Sequence, residues 1–342
     1  MLTDRKSVTL ALQGGGSHGA FTWGVLDRLL EDRRVRIEGI SGASAGAMNA
    51  VVLAHGMTVG GREGARQALS DFWEAVAGTA PFSQWPESLL GATRGSTSGL
   101  PVAYKPMLSL LRVFSPYQLN PFDINPLRAI LARQVDFDGV RKRCPMRLFI
   151  ATTHVATGTL KLFRTRQLSL DVLLASACLP LLHRAVEIDG EVYWDGGLTA
   201  NPPLLPLVQR CSARDIIAVL LHPCPGTRLP VTAEAISHRL AEMNFSSTFF
   251  AELQVLVQAQ REAKRSWFAV GRMERRLRGL NMHAVESGDM MSSLGRHSKL
   301  NAHPAFIRRL HAEGRERAHA WLQQNFRDLG VRSSFRPSRL FG

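Results

Sequence analysis

The sequence predicts an α/β fold built on a largely parallel central sheet. Short apolar runs of strand length alternate with helix-like segments through the first two thirds of the chain. Two of those runs, Val8–Gln13 and Ile37–Ser41, end directly in glycine-rich turns that open helices. Strand, turn and helix repeated in this way are the pattern of parallel strands joined by helical crossovers. Apolar residues make up 45% of the 342 positions, ample for a sizeable core, and the length allows about two domains or one large α/β domain with extensions.

Taken in order, Val8-Thr-Leu-Ala-Leu-Gln13 is a buried-strand candidate that runs into Gly14-Gly-Gly-Ser-His-Gly19. Ala20 to Leu30 then has helical periodicity, with Phe21, Val25, Leu26 and Leu29 on one face. The glycine loop admits two functions. Gly14, Gly16 and Gly19 satisfy the dinucleotide fingerprint G-x-G-x-x-G, and Glu38 stands about where a ribose-binding acid would. Alternatively, the loop is an oxyanion hole, its glycines letting backbone N–H groups crowd around a developing negative oxygen. The following strand favours the second reading, because it ends in Ser41-Gly-Ala-Ser44 and keeps Glu38 inside it.

That strand leads into the segment around which the chain is organised. Gly42-Ala-Ser-Ala-Gly46 turns sharply between Ile37–Ser41 and a helix from Ala47 onward. A G-x-S-x-G turn between strand and helix describes a nucleophile elbow, with Ser44 exposed at the strained corner. Side chains at Gly42 and Gly46 would collide where strand and helix approach. The helix N-terminus points its free N–H groups at the reacting oxygen.

Residues 61–77 read as a helix with Ala65, Leu69, Phe72, Trp73 and Val76 on its apolar face. Periodicity breaks down over 79–125, which is rich in proline and glycine yet also in Phe, Trp and Leu, and reads as a lipid-facing cap or lid insertion, with an ordinary packed subdomain as the alternative. Asn125-Pro126 opens a helix to Arg133. Arg147–Thr153 and Thr159–Arg164 are strands, and Leu170–Ala177 is a short helix. Val186–Trp194 forms a hairpin turning at Asp189-Gly190 and delivers Asp195-Gly196-Gly197 at a strand end. Pro203–Arg210 is helical and Asp215–Leu221 a buried strand. Long helices follow at about 231–270, with Phe245, Phe249, Leu253 and Leu256 as an apolar stripe, and at 305–326. The expected division is a catalytic domain over 1–230 and a basic helical extension over 231–342.

The net charge is +14, and from Arg261 onward 17 Lys and Arg stand against 7 Asp and Glu. Such a field favours anionic partners, and peripheral contact with an anionic membrane surface is the expectation beside the plainer reading of a solvated basic face. No nucleic-acid partner is expected. The four cysteines show no C-x-x-C spacing and match no zinc pattern, so neither metal nor cofactor is expected. The N-terminus lacks an apolar h-region, and no run of 18 apolar residues occurs. The expected location is cytoplasmic.

An attacking hydroxyl needs a group to take its proton. Among the histidines after Asp195, only His222 follows a strand, so a two-residue Ser–Asp arrangement is favoured over a triad. Three motifs now stand in order: Gly14–Gly19, Gly42–Gly46 and Asp195–Gly197. Together with Ala175-Ser-Ala-Cys-Leu-Pro180, they resemble the patatin-like phospholipases across roughly residues 7–222. The resemblance implies a three-layer α/β/α fold and a calcium-independent lipid acyl hydrolase of phospholipase A, lysophospholipase or esterase type, acting through an acyl-enzyme. It makes Ser44 the nucleophile and Asp195 the proton acceptor, with Gly15, Gly16 and Ala45 supplying the oxyanion hole. One departure is His18, where many members carry Arg or Lys. A nucleotide-binding oxidoreductase using Gly14–Gly19 and a non-catalytic lipid-binding relative are the alternatives.

Overall fold

Eight strands form one sheet: β1 (Lys6–Leu12), β2 (Val35–Gly42), β3 (Arg147–His154), β4 (Leu160–Arg164), β5 (Val186–Ile188), β6 (Glu191–Asp195), β7 (Asp215–Leu220) and β8 (Asn281–Glu286). The computed structural model describes residues 5–79, 114–221, 229–265, 271–292, 294 and 296–335. The strand order is β5-β6-β3-β2-β1-β7-β8, with β4 also paired to β3. The five strands β3-β2-β1-β7-β8 run parallel, and β4, β5 and β6 join antiparallel. The Asp189-Gly190 corner has positive φ at both residues (53° and 80°), the backbone of the two-residue hairpin turn expected there.

Both faces of the sheet are covered. Along β7 and just past it, Ile217, Val219 and Leu221 join one apolar cluster, and Ile216, Ala218 and Leu220 join the other. This is the period-two alternation of a strand buried on both sides. The first cluster contains side chains of the helices Gly19–Glu31, Ala45–Gly78, Pro126–Gln134, Leu170–Ser176 and Pro304–Asn325. The second contains side chains of Leu205–Arg210, Ala233–Arg265 and Arg272–Arg278, including Phe249, Leu253 and Leu256 of the predicted stripe. Helix, sheet and helix make three layers.

The helix expected from Ala47 and that expected over 61–77 are two arms of one element, Ala45–Gly78, broken at Gly60 and Gly61, whose φ values are −139° and +61°. The last quarter holds a strand as well as helices. β8 pairs with β7 from Asp215↔Asn281 to Leu220↔Glu286, and its apolar pattern is obscured by a buried His283, which bonds to Asp215 and Ser334. A further unassigned helix, Phe137–Arg143, is capped by the Asp136 side chain accepting from the Gly139 N–H. Of the expected cap, residues 80–113 lie outside the described residues. The remainder, to residue 125, carries one helical turn at Pro116–Leu119.

The C-terminal helix Pro304–Asn325 locks onto Gly19–Glu31. A Cβ at Gly24 would overlap the His311 carbonyl, and one at Gly314 would overlap that of Phe21, so the two backbones touch. Beside this crossing, the buried Asp27 accepts from Arg66 at 2.6 Å, from His311 at 3.2 Å and from Arg315. Burial alone would raise its pKa, but these three partners hold the carboxyl far below the usual carboxylate range.

One carboxylate therefore ties three helices together, and Asp27→Asn is expected to cost about 2 kcal/mol of stability, the two arginines being partly solvated. Because the folded pKa is depressed, the contribution is present above the unfolded value near 4 and is lost as the pH falls towards the folded one. Chemical denaturation at neutral pH and below about pH 4 checks both the size and the narrowing of the gap.

Candidate active site

The elbow forms where β2 ends. Ser44 has φ 52° and ψ −127°, a strained conformation for a residue with a side chain, and the helix Ala45–Gly78 starts immediately after it. Strand and helix cross so closely that a Cβ at Gly42 would lie 2.7 Å from the Gly46 carbonyl carbon, and one at Gly46 would overlap the Leu12 carbonyl. Glycine is required at both positions, as the sequence pattern suggested. Ser44 is only 7% exposed, so it is buried at the corner and not exposed there as the elbow pattern predicted.

Strand register brings Asp195 to the same place. On one edge of β3, β4 pairs with residues 149–153. The other edge is divided. β2 pairs with Arg147–Ile150 and leaves at Gly42↔Ile150. β6 then takes over at Thr152↔Asp195. Asp195 thus ends its strand just beyond the point where β2 turns out towards Ser44.

The loop after the helix Leu170–Ser176 holds both residues. The Ser44 N–H donates to the Ser176 carbonyl and to Ser176 Oγ, each at 3.0 Å. The Asp195 N–H donates to the Cys178 carbonyl at 2.9 Å, and Thr153 Oγ1 donates to the Asp195 carbonyl at 2.7 Å.

Asp195 is fully buried. Its Oδ1 accepts from the Gly197 N–H at 2.6 Å, whereas Oδ2 is buried without a hydrogen-bond partner. Burial pushes the carboxyl up to about 6, against the downward pull of the Gly197 N–H, the Ser44 hydroxyl and the charge of Lys299. The Ser44 hydroxyl therefore faces the carboxylate closely enough to influence its ionisation without satisfying Oδ2. A buried carboxylate oxygen beside a hydroxyl, with no other donor, has the environment of a base awaiting a proton.

The Gly14–Gly19 loop forms the third side. The Gly14 N–H is taken by Asn201 Oδ1 at 2.6 Å, and Asn201 Nδ2 donates to the Phe245 carbonyl at 3.0 Å. Among the described residues, no acceptor takes the N–H groups of Gly15, Gly16 or Ala45. Gly19 opens the first helix, and Gly196 and Gly197 form the turn after Asp195. Asn201 and Ser176 were not singled out as site residues from the sequence. Asn201 follows the Asp-Gly-Gly run by a few positions, but its clamp on a loop 187 residues earlier appears only on folding.

Other sequence candidates have different occupations. Glu38 is committed to the loop before β7, accepting from the N–H groups of Ser212 at 2.7 Å and Ala213 at 2.6 Å, and no ribose is needed to explain it. His283 bonds Asp215, His311 bonds Asp27, and His319 accepts from Arg28. His154 bonds Glu191, and burial lowers the pKa of His183. His222 lies outside the described residues. Burial pushes the Cys178 thiol up to about 12, helped by the charges of Asp195 and Asp123, so it stays protonated near neutral pH.

Among the described residues, no helix is long and apolar enough to cross a membrane. No curated protein matches the chain. Among solved structures, it is similar to VipD from Legionella pneumophila, with 15% identity and a TM-score of 0.42, covering 94% of this chain and 67% of that one. The sequence model of the patatin-like phospholipases matches residues 10–208, more than half of the protein and a span containing the glycine loop, the serine elbow and Asp195. The chain belongs to the patatin-like phospholipase family.

Proposed function

We propose that the protein is a serine hydrolase of lipid acyl esters, of phospholipase A, lysophospholipase or esterase type, working through a Ser44–Asp195 dyad without calcium. Family membership supports lipid acyl hydrolysis in general. The observation that carries the finer reading is the buried Asp195 carboxyl, whose Oδ2 has no hydrogen-bond partner and whose ionisation the Ser44 hydroxyl influences.

In the proposed cycle, Asp195 accepts the Ser44 proton as Oγ attacks the ester carbonyl. The tetrahedral oxyanion is met by the N–H groups of Gly15, Gly16 and Ala45, and the leaving alkoxide collects the proton from Asp195. Water, deprotonated by the same carboxylate, then resolves the acyl-enzyme. An ordinary aspartate, with pKa about 3.9, is too weak a base for this at neutral pH. Desolvation narrows that gap here, and close donors for the oxyanion must supply much of the remainder.

A lipid substrate is favoured by the surroundings of the dyad. Leu181, 69% exposed, lies in the loop whose Cys178 carbonyl holds Asp195, and Leu198 is exposed in the turn after it. Against that loop rests the segment from residue 114. The Ala185 N–H donates to the Tyr117 hydroxyl at 3.3 Å, and Arg184 donates to the Tyr117 carbonyl at 3.4 Å. The same segment exposes Phe114, Phe122 and Ile124. An apolar rim of this kind suits acyl chains or a bilayer surface. The basic cluster of Arg272, Arg275 and Arg276 instead lines, with Arg210 and Arg214, a cleft of about 660 Å³. That cleft neighbours the N-terminal end of β7, whereas Ser44 lies beyond the C-terminal end of β2, which runs parallel to β7 on the other side of β1. Membrane contact through the rim therefore does not depend on those charges.

Labelling with a fluorophosphonate probe and peptide mapping tests the nucleophile. The expected result is one adduct on Ser44, absent from Ser44→Ala, and a well-folded wild type that is not labelled would contradict the reading. Asp195→Asn is expected to lower kcat/KM by roughly 100- to 10,000-fold, the range of a lost general base.

The same variant is expected to melt at or above the wild-type temperature at neutral pH. Burial raises the folded pKa of Asp195, so the ionised carboxylate destabilises the fold. That cost is absent below about 4, grows as the pH rises, and is complete above about 6. Activity has the opposite dependence. For a neutral ester, kcat/KM is expected to rise with pH through an inflection near 6, where Asp195 loses its proton. An inflection near 4 would show that burial does not tune the base.

A further inference from the structure

The C-terminal extension reaches the dyad, although its sequence carries none of the three motifs. The turn Arg296–Leu300 lies against the glycine loop, and a Cβ at Gly16 would overlap the Lys299 carbonyl. Next to it, the buried Ser298 hydroxyl pairs with His18 Nε2 at 2.8 Å. The Lys299 ammonium stands 4.7 Å from the centroid of the Phe245 ring, within cation–π range. Phe245 in turn covers the catalytic turn, since a Cβ at Gly197 would come within 3.1 Å of its ring, and its carbonyl accepts from Asn201. Two elements of the extension thus sandwich the site, one carrying the cation and the other the aromatic surface beneath it.

We propose that Lys299 is a positioning residue of the dyad, a cation delivered by the C-terminal extension whose field holds Asp195 in the ionised form that accepts the Ser44 proton. The inference rests on the Ser44–Asp195 reading. It also gives the His18 position a physical account. The glycine loop carries a histidine bonded to Ser298, and the adjoining residue of the extension brings a positive charge to the same corner.

The groups that set this balance can be named. Facing Asp195 are the Ser44 hydroxyl, the Gly197 N–H, Lys299 and the protonated Cys178 thiol. Facing Lys299 are Asp195 and, from the helix Ala233–Arg265, Glu242. Glu242 is itself paired with Arg239 at 3.2 Å. Burial lowers the ammonium pKa to about 8, against the pull of Glu242 and Asp195, so the cation is present across the range in which Asp195 titrates. Glu242 favours the ammonium but partly neutralises its field, so removing Lys299 is expected to raise the Asp195 pKa and removing Glu242 to lower it.

The test is the rate of Ser44 modification by a fluorophosphonate between about pH 5 and about pH 9, a range that spans both titrations. It uses the full chain as wild type, Lys299→Met, Lys299→Arg and Glu242→Gln. This readout needs no lipid substrate. Lys299→Met is expected to move the acid limb to higher pH, lowering the rate near pH 6 by roughly threefold to tenfold, with the curves converging at the alkaline end. Lys299→Arg is expected to restore the wild-type limb, and Glu242→Gln to move it to lower pH. A Lys299→Met profile with an unmoved limb, whether at wild-type height or lowered uniformly, would overturn the proposal while leaving the dyad intact. Failure of the wild type to label at Ser44 at any pH would overturn the dyad and this role together.

Discussion

One edge of a single strand decides where the chemistry can occur. β4 occupies one edge of β3 from Phe149 to Thr153, so β2 and β6 must share the other. β2 gives up its share at Gly42, because the chain there turns into a helix that no side chain could accompany. β6 begins its share two residues later along β3, at Thr152, and Asp195 is the residue that starts the pairing. The distance from serine to aspartate is therefore set by backbone register, which a one-residue slip would destroy by reversing every side chain. The Ser176–Cys178 segment secures the arrangement, holding one backbone N–H from each of Ser44 and Asp195.

With the pair placed, burial decides the chemistry. Asp195 is fully buried and has only one firm hydrogen bond, from Gly197. Its ionised form is consequently costly, and the same cost makes it a better proton acceptor. A histidine triad divides orientation and basicity between two residues. In the dyad proposed here the fold does the orienting and desolvation supplies the basicity. The positive charge on Lys299 opposes the upward push of burial on that carboxyl.

The catalytic half was legible because its signals are local. Strand, glycine turn and helix follow one another within a few residues at Gly14 and at Ser44, and the Asp189-Gly190 corner announces the strand that carries Asp195. What could not be read was set by long-range contact. Asn201 clamps a loop 187 residues away. Ser176 looks like an ordinary helix-end serine until its partner is known. β8 has too weak an apolar alternation to be read as a strand, since its central position is a histidine that becomes acceptable only between Asp215 and Ser334. Lys299 is one of many basic residues in the last quarter, and nothing in its neighbours distinguishes it from those on the solvated face.

The central claim is that burial turns Asp195 into the base of a histidine-free dyad. Infrared difference titration of the protonated-carboxyl stretch, wild type against Asp195→Asn, measures that ionisation directly. The account predicts a band missing from the variant and titrating near pH 6 in the wild type. An Asp195 band already lost, on raising the pH, with a midpoint near 4, the value of an exposed carboxylate, would contradict it.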